Sequence, residues 1–439
     1  MTHGTTVAEV VTSEKYKNES EGESEVSERK RHWLFSVVVL LLTALGTVAA
    51  AKTVTLQWAT WGPAPIDQEL IAAFGAAYPN IKIEYIGSTY SEHHPKLKVL
   101  AAGGLAPDVY AVDGYYTAEF VANNLIRPLD DLIARTPSID MREYFPVALL
   151  DVEYKGKIYG LPYISAPQYY VYNVEHMAEA GLPKPDPHWS RETFLEYMRK
   201  LTKSDGQRTI RWGTGGYVSW GSVWPWVWAV GGDVVDDVNK LFLLAEPATI
   251  DALQWVADLN LVHGVVGGDF AAQTRSLSAM YPAGFPSVTK ADWPFEWDVT
   301  LPPGGSGGQK GIWKANAMAI STTTENLEEA WTFLQFLLGP DSPGHRIYVS
   351  NKRFPPQTRD RDLWNLFQPL GTEPVSLREI TLLYASDYGR PLPHLLQWDE
   401  IMVNTIGGAL SRISSGAVSA RMAIEQIRPI AERLIAAEP

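Results

Sequence analysis

The sequence predicts an α/β protein of two globular units joined by more than one crossing of the chain. Three observations lead there. The chain has 439 residues, 46% apolar and only 20% charged, which fits one or two full cores at roughly 100–200 residues per domain. Strand-period and helix-period segments alternate from residue 54 onward. Two short Pro- and Gly-rich stretches, Leu161-Pro162-Tyr163-Ile164 and residues 301–308 (LPPGGSGG), look like passages between units. Units linked more than once turn as rigid bodies about the linking strands, so closure around a ligand is the expected motion.

The N-terminus is read as targeting, not fold. Residues 1–28 are Glu-rich and carry no apolar period, which gives a leader without a packed core. Arg29-Lys30-Arg31 then precedes an uncharged run from Trp33 to Ala51 that ends in Ala49-Ala50-Ala51. A basic start, an apolar run and an A-x-A end make an export signal; left uncut, the run is long enough to anchor the chain in a bilayer. Either way the remainder is expected outside the cytoplasm, as a secreted, periplasmic or cell-surface protein. Residues 52–439 keep 32 basic and 43 acidic side chains, net −11. That acidity, with no Lys/Arg-rich patch, argues against nucleic acid as a partner.

Val54 to Trp58 alternates apolar and polar residues and reads as a strand. Ile66, Leu70, Phe74 and Ala77 recur at helical spacing, Pro79-Asn80 breaks the pattern, and residues 81–85 resume as strand. The opening unit is therefore β-α-β. Asp108 to Val112 is a further strand ending at Asp113-Gly114, and in an open α/β sheet such a strand end meets the ligand. Ser190 is a plausible N-cap for a helix burying Phe194, Leu195, Met198 and Leu201. Asn326 with Glu329 suggests a capping box opening a helix that Gly339-Pro340 stops. The last helices are placed at about Trp398–Leu410 and Ala417–Ala437, with Pro429 kinking the second.

Tests for catalysis and cofactors come out weak. Gly304 to Gly308 matches G-x-S-x-G, but a nucleophile elbow needs a strand before it and a helix after it, so a flexible loop is favoured. Glu92-His93-His94 reads as a solvated pair of histidines and not a metal site. Asp233, Asp236 and Asp237 lack EF-hand spacing and read as a turn, with weak Ca²⁺ binding as the rival. No Walker A or H-E-x-x-H run occurs, and no dinucleotide fingerprint stands in its strand-to-helix context. The absence of Cys excludes disulfides, thiolate metal sites and thiol nucleophiles. No cofactor, metal or catalytic residue is expected; a glycosidase stays open, because two carboxylates need only meet in space.

The informative excess is aromatic, 16 Trp and 20 Tyr. Tyr217, Trp220, Trp224, Trp226 and Trp228 crowd together around Gly221 and Pro225, and further rings stand at Trp61, Tyr115/Tyr116, Trp293/Trp297, Trp313 and Trp398. Rings beside Gly and Pro suit loop ends facing a cleft. A pyranose offers an apolar face for an aromatic ring and a rim of hydroxyls for Asp, Asn, Gln and Lys, so carbohydrate is the ligand such a set would take. Trp58 and Trp331 fit strand and helix faces and are assigned to the core.

The order of these segments resembles the extracellular solute-binding proteins of ABC importers, in the carbohydrate-binding group that includes maltose-binding protein. The resemblance runs through Val54 to Trp61, Ala101 to Val109, Asn124 to Asp130, Gly156 to Tyr163, Tyr172-Asn173, Ala180 to Pro183, Trp297 to Val299 and Glu329 to Leu334, and covers essentially all of residues 53–439. It implies a two-lobe, class II periplasmic-binding-protein-like fold with a hinge and a ligand cleft between the lobes. The lobes would be 53–162 with 303–340 and 163–302 with 341–439, crossed a third time after Leu338. It implies ligand-binding residues at Trp61, Asp113, Tyr115, Tyr163, Trp220, Trp224, Phe285, Trp313 and Trp398. The expected function is capture of a sugar, an oligosaccharide given the number of rings, and its delivery to a membrane permease by a monomeric protein that touches the membrane only through its N-terminal segment. The alternatives are glycerol phosphate or a polyamine on the same scaffold, with Lys314, Arg353 and Arg390 available for an anionic ligand such as the former, and a secreted glycosidase. The lipid-attachment Cys of many bacterial members is absent.

Overall fold

The computed structural model describes residues 53–437 except 62–64, 217–218, 220, 269–271, 273–274 and 285–292. The leader, the apolar run 33–51 and the site candidates Trp220 and Phe285 lie outside the described residues. No described helix is long and apolar enough to cross a membrane.

Strand β1 (Val54–Trp61), helix α1 (Pro65–Ala77) and strand β2 (Ile81–Ser88) form the expected β-α-β unit. The two strands pair in parallel from Val54 opposite Ile81 to Trp61 opposite Ser88. Ile66, Leu70 and Phe74 are buried at their helical spacing. Trp58 and Trp331 are core residues as predicted, packed with Phe74, Phe333 and Leu334. Helix α2 (Tyr90–Ala102) leads to β3 (Val109–Asp113), which lies parallel to β1 and is buried along its whole length.

The histidine pair is a correction. His93 and His94 are buried on α2, their rings T-shaped at 5.1 Å. α2 lies on the sheet with few apolar side chains to offer, and the imidazoles pair with β3's backbone instead: His93 Nε2 stands 2.8 Å from the Ala111 carbonyl, and His94 Nε2 accepts the Asp113 N–H at 3.0 Å.

Strand β4 (Leu161–Asn173) ties the sheet together. Among the described residues ten strands form one sheet, and β4 lies near its middle with every residue but Gln168 buried. Its first half pairs antiparallel with β8 (Gly311–Ile320), from Leu161 opposite Met318 to Pro167 opposite Trp313. Its second half pairs with β6 (Ser278–Gly284) and β7 (Trp297–Thr300). The order across the sheet is β2-β1-β3-β8-β4-β6-β5, where β5 is Thr209–Thr214. β8 runs alongside, its C-terminal end on β3 and its start on Gly389–Arg390. Both strands are thus continuous between the two ends of a two-lobe α/β fold. The Pro-Gly segment before β8 packs locally: Gly304 N–H donates to Trp189, Gly307 N–H to Ala229. A Cβ on Gly307 would stand 1.8 Å from the Gly231 nitrogen, so only glycine fits. β7 ends at Thr300 before it, but strand β8 and not a helix follows, so it is no nucleophile elbow.

Ser190 caps helix α3 (Arg191–Leu201) by accepting the Thr193 N–H at 3.2 Å. Asn326 precedes helix α5 (Leu327–Leu338), but at φ −117°, ψ 50° its side chain makes no cap, so the expected capping box does not close. Helix α4 (Trp224–Ala229) starts on the Trp-rich segment. Near the C-terminus a π-helical turn (Asp399–Ile406) runs into α6 (Gly407–Ser414), and α7 (Ala420–Ala436) continues through Pro429.

Candidate functional site

The site assembles where β3 ends. Asp113 is its last residue, and Gly114–Tyr116 make a 3₁₀ turn. Gly114 is required: a Cβ there would lie 2.4 Å from the Asp151 side chain and 2.5 Å from the Ala315 carbonyl. The Asp113 carboxylate is 2% exposed and accepts hydrogen bonds from the Tyr90 hydroxyl at 2.5 Å and the Tyr115 hydroxyl at 2.6 Å. Burial and the carboxylate together push both phenols far above their ordinary range, so both remain donors. Burial holds the His94 pKa down at about 4, which keeps the imidazole neutral and able to accept the Asp113 N–H.

Trp398, just ahead of the π-helical turn, stacks on Tyr115 with ring centroids 4.4 Å apart and an angle of 25°. Beside it the Tyr116 hydroxyl donates to Asp399 Oδ1 at 2.6 Å. Tyr115, Trp224 and Trp398 share one core with Trp228, Leu392, Leu395 and Ile401. Trp224 and Trp398 are each 1% exposed, so neither presents an open face. Trp61 is half-buried, edge-on to Tyr90 at 5.6 Å and to Tyr163 at 6.2 Å. Tyr163 is fully buried in β4, its hydroxyl 3.4 Å from Thr60 Oγ1. The structure therefore links Tyr163, Trp61, Asp113, Tyr115 and Trp398 through Tyr90, and puts Trp224 in the same core as the last two.

Trp313 stands apart from this group. It is fully buried in another core, with Phe145, Leu363, Trp364 and Tyr384, and its indole N–H donates to Ser165. Side chains alternate along a strand, so Trp313 and Ala315 face that core while Ile312 and Lys314 face the site. Lys314 Nζ lies 5.7 Å from the Tyr115 ring centre. Burial lowers its pKa, and Asp113 and Asp151 work against that shift. Asp151 accepts the Ala315 N–H at 2.7 Å, and burial raises its carboxyl; His394 Nε2 stands 3.6 Å away.

A cavity of about 230 Å³ adjoins Trp224, lined also by Trp228, Asp233, Asp237, Arg390 and His394. The Arg390 guanidinium lies 4.8 Å over the Trp228 ring and pairs with Asp233, which also accepts the Trp228 indole N–H at 3.1 Å. Of the three aspartates read as a turn, Asp236 ends a short strand, Val235–Asp236, paired with Leu241–Phe242, and accepts the N–H groups of Val238 and Asn239 in the hairpin turn that begins at Asp237, while Asp233 precedes the strand. No group of three or more His, Asp or Glu among the described residues is placed to hold a metal ion. Sequence reasoning placed Tyr116 among the cleft-facing rings but missed Tyr90, Asp151, His394 and Asp399 as neighbours of the site. The only sequence signal among those four was the adjacency of Asp399 to Trp398.

Comparison with known proteins gives a consistent picture. The family described as bacterial extracellular solute-binding protein matches residues 60–342. An uncharacterised lipoprotein of Streptomyces antibioticus is 26% identical over 329 residues, 70% of this chain and 71% of its own length. An ABC substrate-binding protein of Listeria monocytogenes, solved in complex with cycloalternan, superposes with a TM-score of 0.80 at 19% identity, covering 88% of this chain and all of that one. The UgpB protein of Mycobacterium tuberculosis, solved with glycerophosphocholine, gives 0.75 at 20% identity over 86% of this chain and 98% of that one.

Proposed function

Because the chain belongs to the bacterial extracellular solute-binding protein family, whose members bind solutes and are not enzymes, we propose that it captures a sugar, an oligosaccharide, and delivers it to the permease of an ABC importer. The observation that carries this reading is the placing of aromatic rings beside hydroxyl-binding carboxylates at one strand end: Trp61 and Trp398 reach Asp113 through Tyr90 and Tyr115, and Trp224 lines the adjoining cavity with Asp233 and Asp237. Rings cover the apolar face of a pyranose, and carboxylates accept from its hydroxyls. Around the site Asp113, Asp151, Asp233, Asp237 and Asp399 face Lys98, Lys314, Arg353 and Arg390, with Lys98 paired to Glu119 and Arg390 to Asp233, and this slight acidic excess gives a phosphate-bearing cargo little to favour it. The Listeria neighbour's complex with cycloalternan supports a sugar.

In this reading β4 and β8 are the strands about which the lobes turn, the second passage being β8 itself and not the loop before it. In the same reading residues up to Phe354 go with the first lobe, because Tyr348 and Phe354 pack in the core of Trp58, Leu70 and Trp331, so the third crossing falls later than Leu338. The sugar binds the closed form better than the open one and so shifts the population toward closure. The protein acts as a monomer outside the cytoplasm, held to the membrane at most through residues 33–51.

Intrinsic Trp fluorescence and melting temperature, read against mono- and oligosaccharides, glycerol phosphate, glycerophosphocholine and polyamines, test this. Saturable shifts with one sugar class recovered unhydrolysed are the expected result. A response confined to phosphates or amines would replace the cargo, and release of shorter sugars would replace binding with hydrolysis.

A further inference from the structure

We propose that Tyr115 is a built-in competitor for Trp398: the chain's own ring, with the Tyr116–Asp399 hydrogen bond, holds a closed arrangement that needs no sugar. The contact joins the turn after β3 to a segment 283 residues later. A centroid distance of 4.4 Å is a single stacking distance, at the short end of the roughly 4.5–7 Å that ring pairs adopt. A pyranose therefore cannot lie between the two rings until they part.

Tyr115 is fixed on every side. Its hydroxyl donates to Asp113 and meets the Tyr90 hydroxyl at 2.5 Å, and Lys314 Nζ sits 5.7 Å from its ring centre. Tyr116 is backed by the His94 ring at 4.5 Å and Lys98 at 5.0 Å. Every group in the clasp belongs to this chain. A cargo that stacks on Trp398 must displace Tyr115, so its apparent affinity is the intrinsic one scaled by the fraction of chains with the clasp open. The competition rests on the sugar reading above; the closed arrangement does not.

The test uses the full chain, which has no Cys, so S91C and V403C take two spin labels at exposed positions on either side of the contact. Without sugar, a dominant short distance is expected, and Tyr115→Ala and, separately, Tyr116→Phe shift the population to a longer one. Tyr116→Phe removes a single hydroxyl and keeps the test valid if Tyr115→Ala does not fold. With maltotetraose and a mixture of α-glucan oligosaccharides as probes, Tyr115→Ala binds at least threefold tighter than the unsubstituted chain. A long distance without sugar, distances that neither variant moves, or binding by Tyr115→Ala that is unchanged or weaker would each overturn the proposal. A short, variant-sensitive distance in a chain that no sugar moves supports the clasp and counts against the cargo instead.

Discussion

His94 Nε2 accepts the backbone N–H of Asp113 at 3.0 Å, so a neutral imidazole on α2 fixes the strand end that carries the site. A protonated ring cannot accept that bond. Burial holds the pKa of His94 down at about 4, and does the same at His345, whose Nδ1 faces the Gly339 and Pro340 carbonyls.

A pH dependence follows from those two groups. Histidines depressed in the folded state are fully stabilising above the unfolded value of about 6.5, and that contribution drains away as pH falls toward 4, because the unfolded chain takes up protons first. At roughly 1.4 kcal/mol per pH unit, the loss is on the order of 3 kcal/mol for each. Asp151, raised by burial, works in the opposite sense. Denaturant melts of the unsubstituted chain and of His94→Gln between pH 7 and 4 separate the two: the difference in stability between them should shrink as pH drops, and a constant difference would remove His94 from the account.

Gly114→Ala tests how tightly the site turn is held. A Cβ at 2.4 Å from Asp151 must move either that carboxylate, which accepts the Ala315 N–H, or the turn bearing Tyr115. A loss of about 1–3 kcal/mol is expected for such overpacking, together with altered sugar affinity. Thermal melting and titration on the same preparation check it; an unchanged melting point would mean the turn yields freely.

Trp313 and Lys314 give opposite expectations from adjacent positions. Trp313→Ala should cost about 3–5 kcal/mol of stability, the range for removing a buried Trp, and leave sugar affinity in the folded protein unchanged. Lys314→Met should change affinity about tenfold, or about 1.4 kcal/mol, because its ammonium lies 5.7 Å from the Tyr115 ring centre and is favoured by the charges of Asp113 and Asp151. Paired titrations of the two variants decide it, and an affinity loss at Trp313 with none at Lys314 would reverse the assignment of faces.

The sheet end at Asp113 was legible because the apolar run Val109 to Val112 stops at Asp113-Gly114. Helices α1 and α3 were legible from apolar spacing, and the Ser190 cap from its residue type. What stayed hidden were pairings that local period does not encode. Tyr116 with Asp399, Asp151 with His394 and Arg390 over Trp228 join segments more than 150 residues apart. The faces of β8 were hidden for another reason: nearly all of its residues are buried, so its sequence has no apolar–polar alternation to show which side meets the site. His93 and His94 were misread because an imidazole that satisfies strand backbone looks, in sequence, like one that faces water.

Trp398 decides between platform and core. It is 1% exposed and packs with Trp224, Leu395 and Ile401, so some stability depends on it. If its face is the one a sugar uses once Tyr115 has moved, Trp398→Ala weakens binding by about 1–3 kcal/mol, the scale of a lost stacking and burial contact, while unfolding stays cooperative. Tyr115→Ala, on the other side of the same 4.4 Å contact, tightens binding. Opposite signs from the two rings are what a competitor and its platform produce. Losses at both would make the pair ordinary ligand contacts, and a chain that no longer melts cooperatively after Trp398→Ala would leave that ring a structural one, with sugar capture falling to Trp61 and the Trp224 cavity.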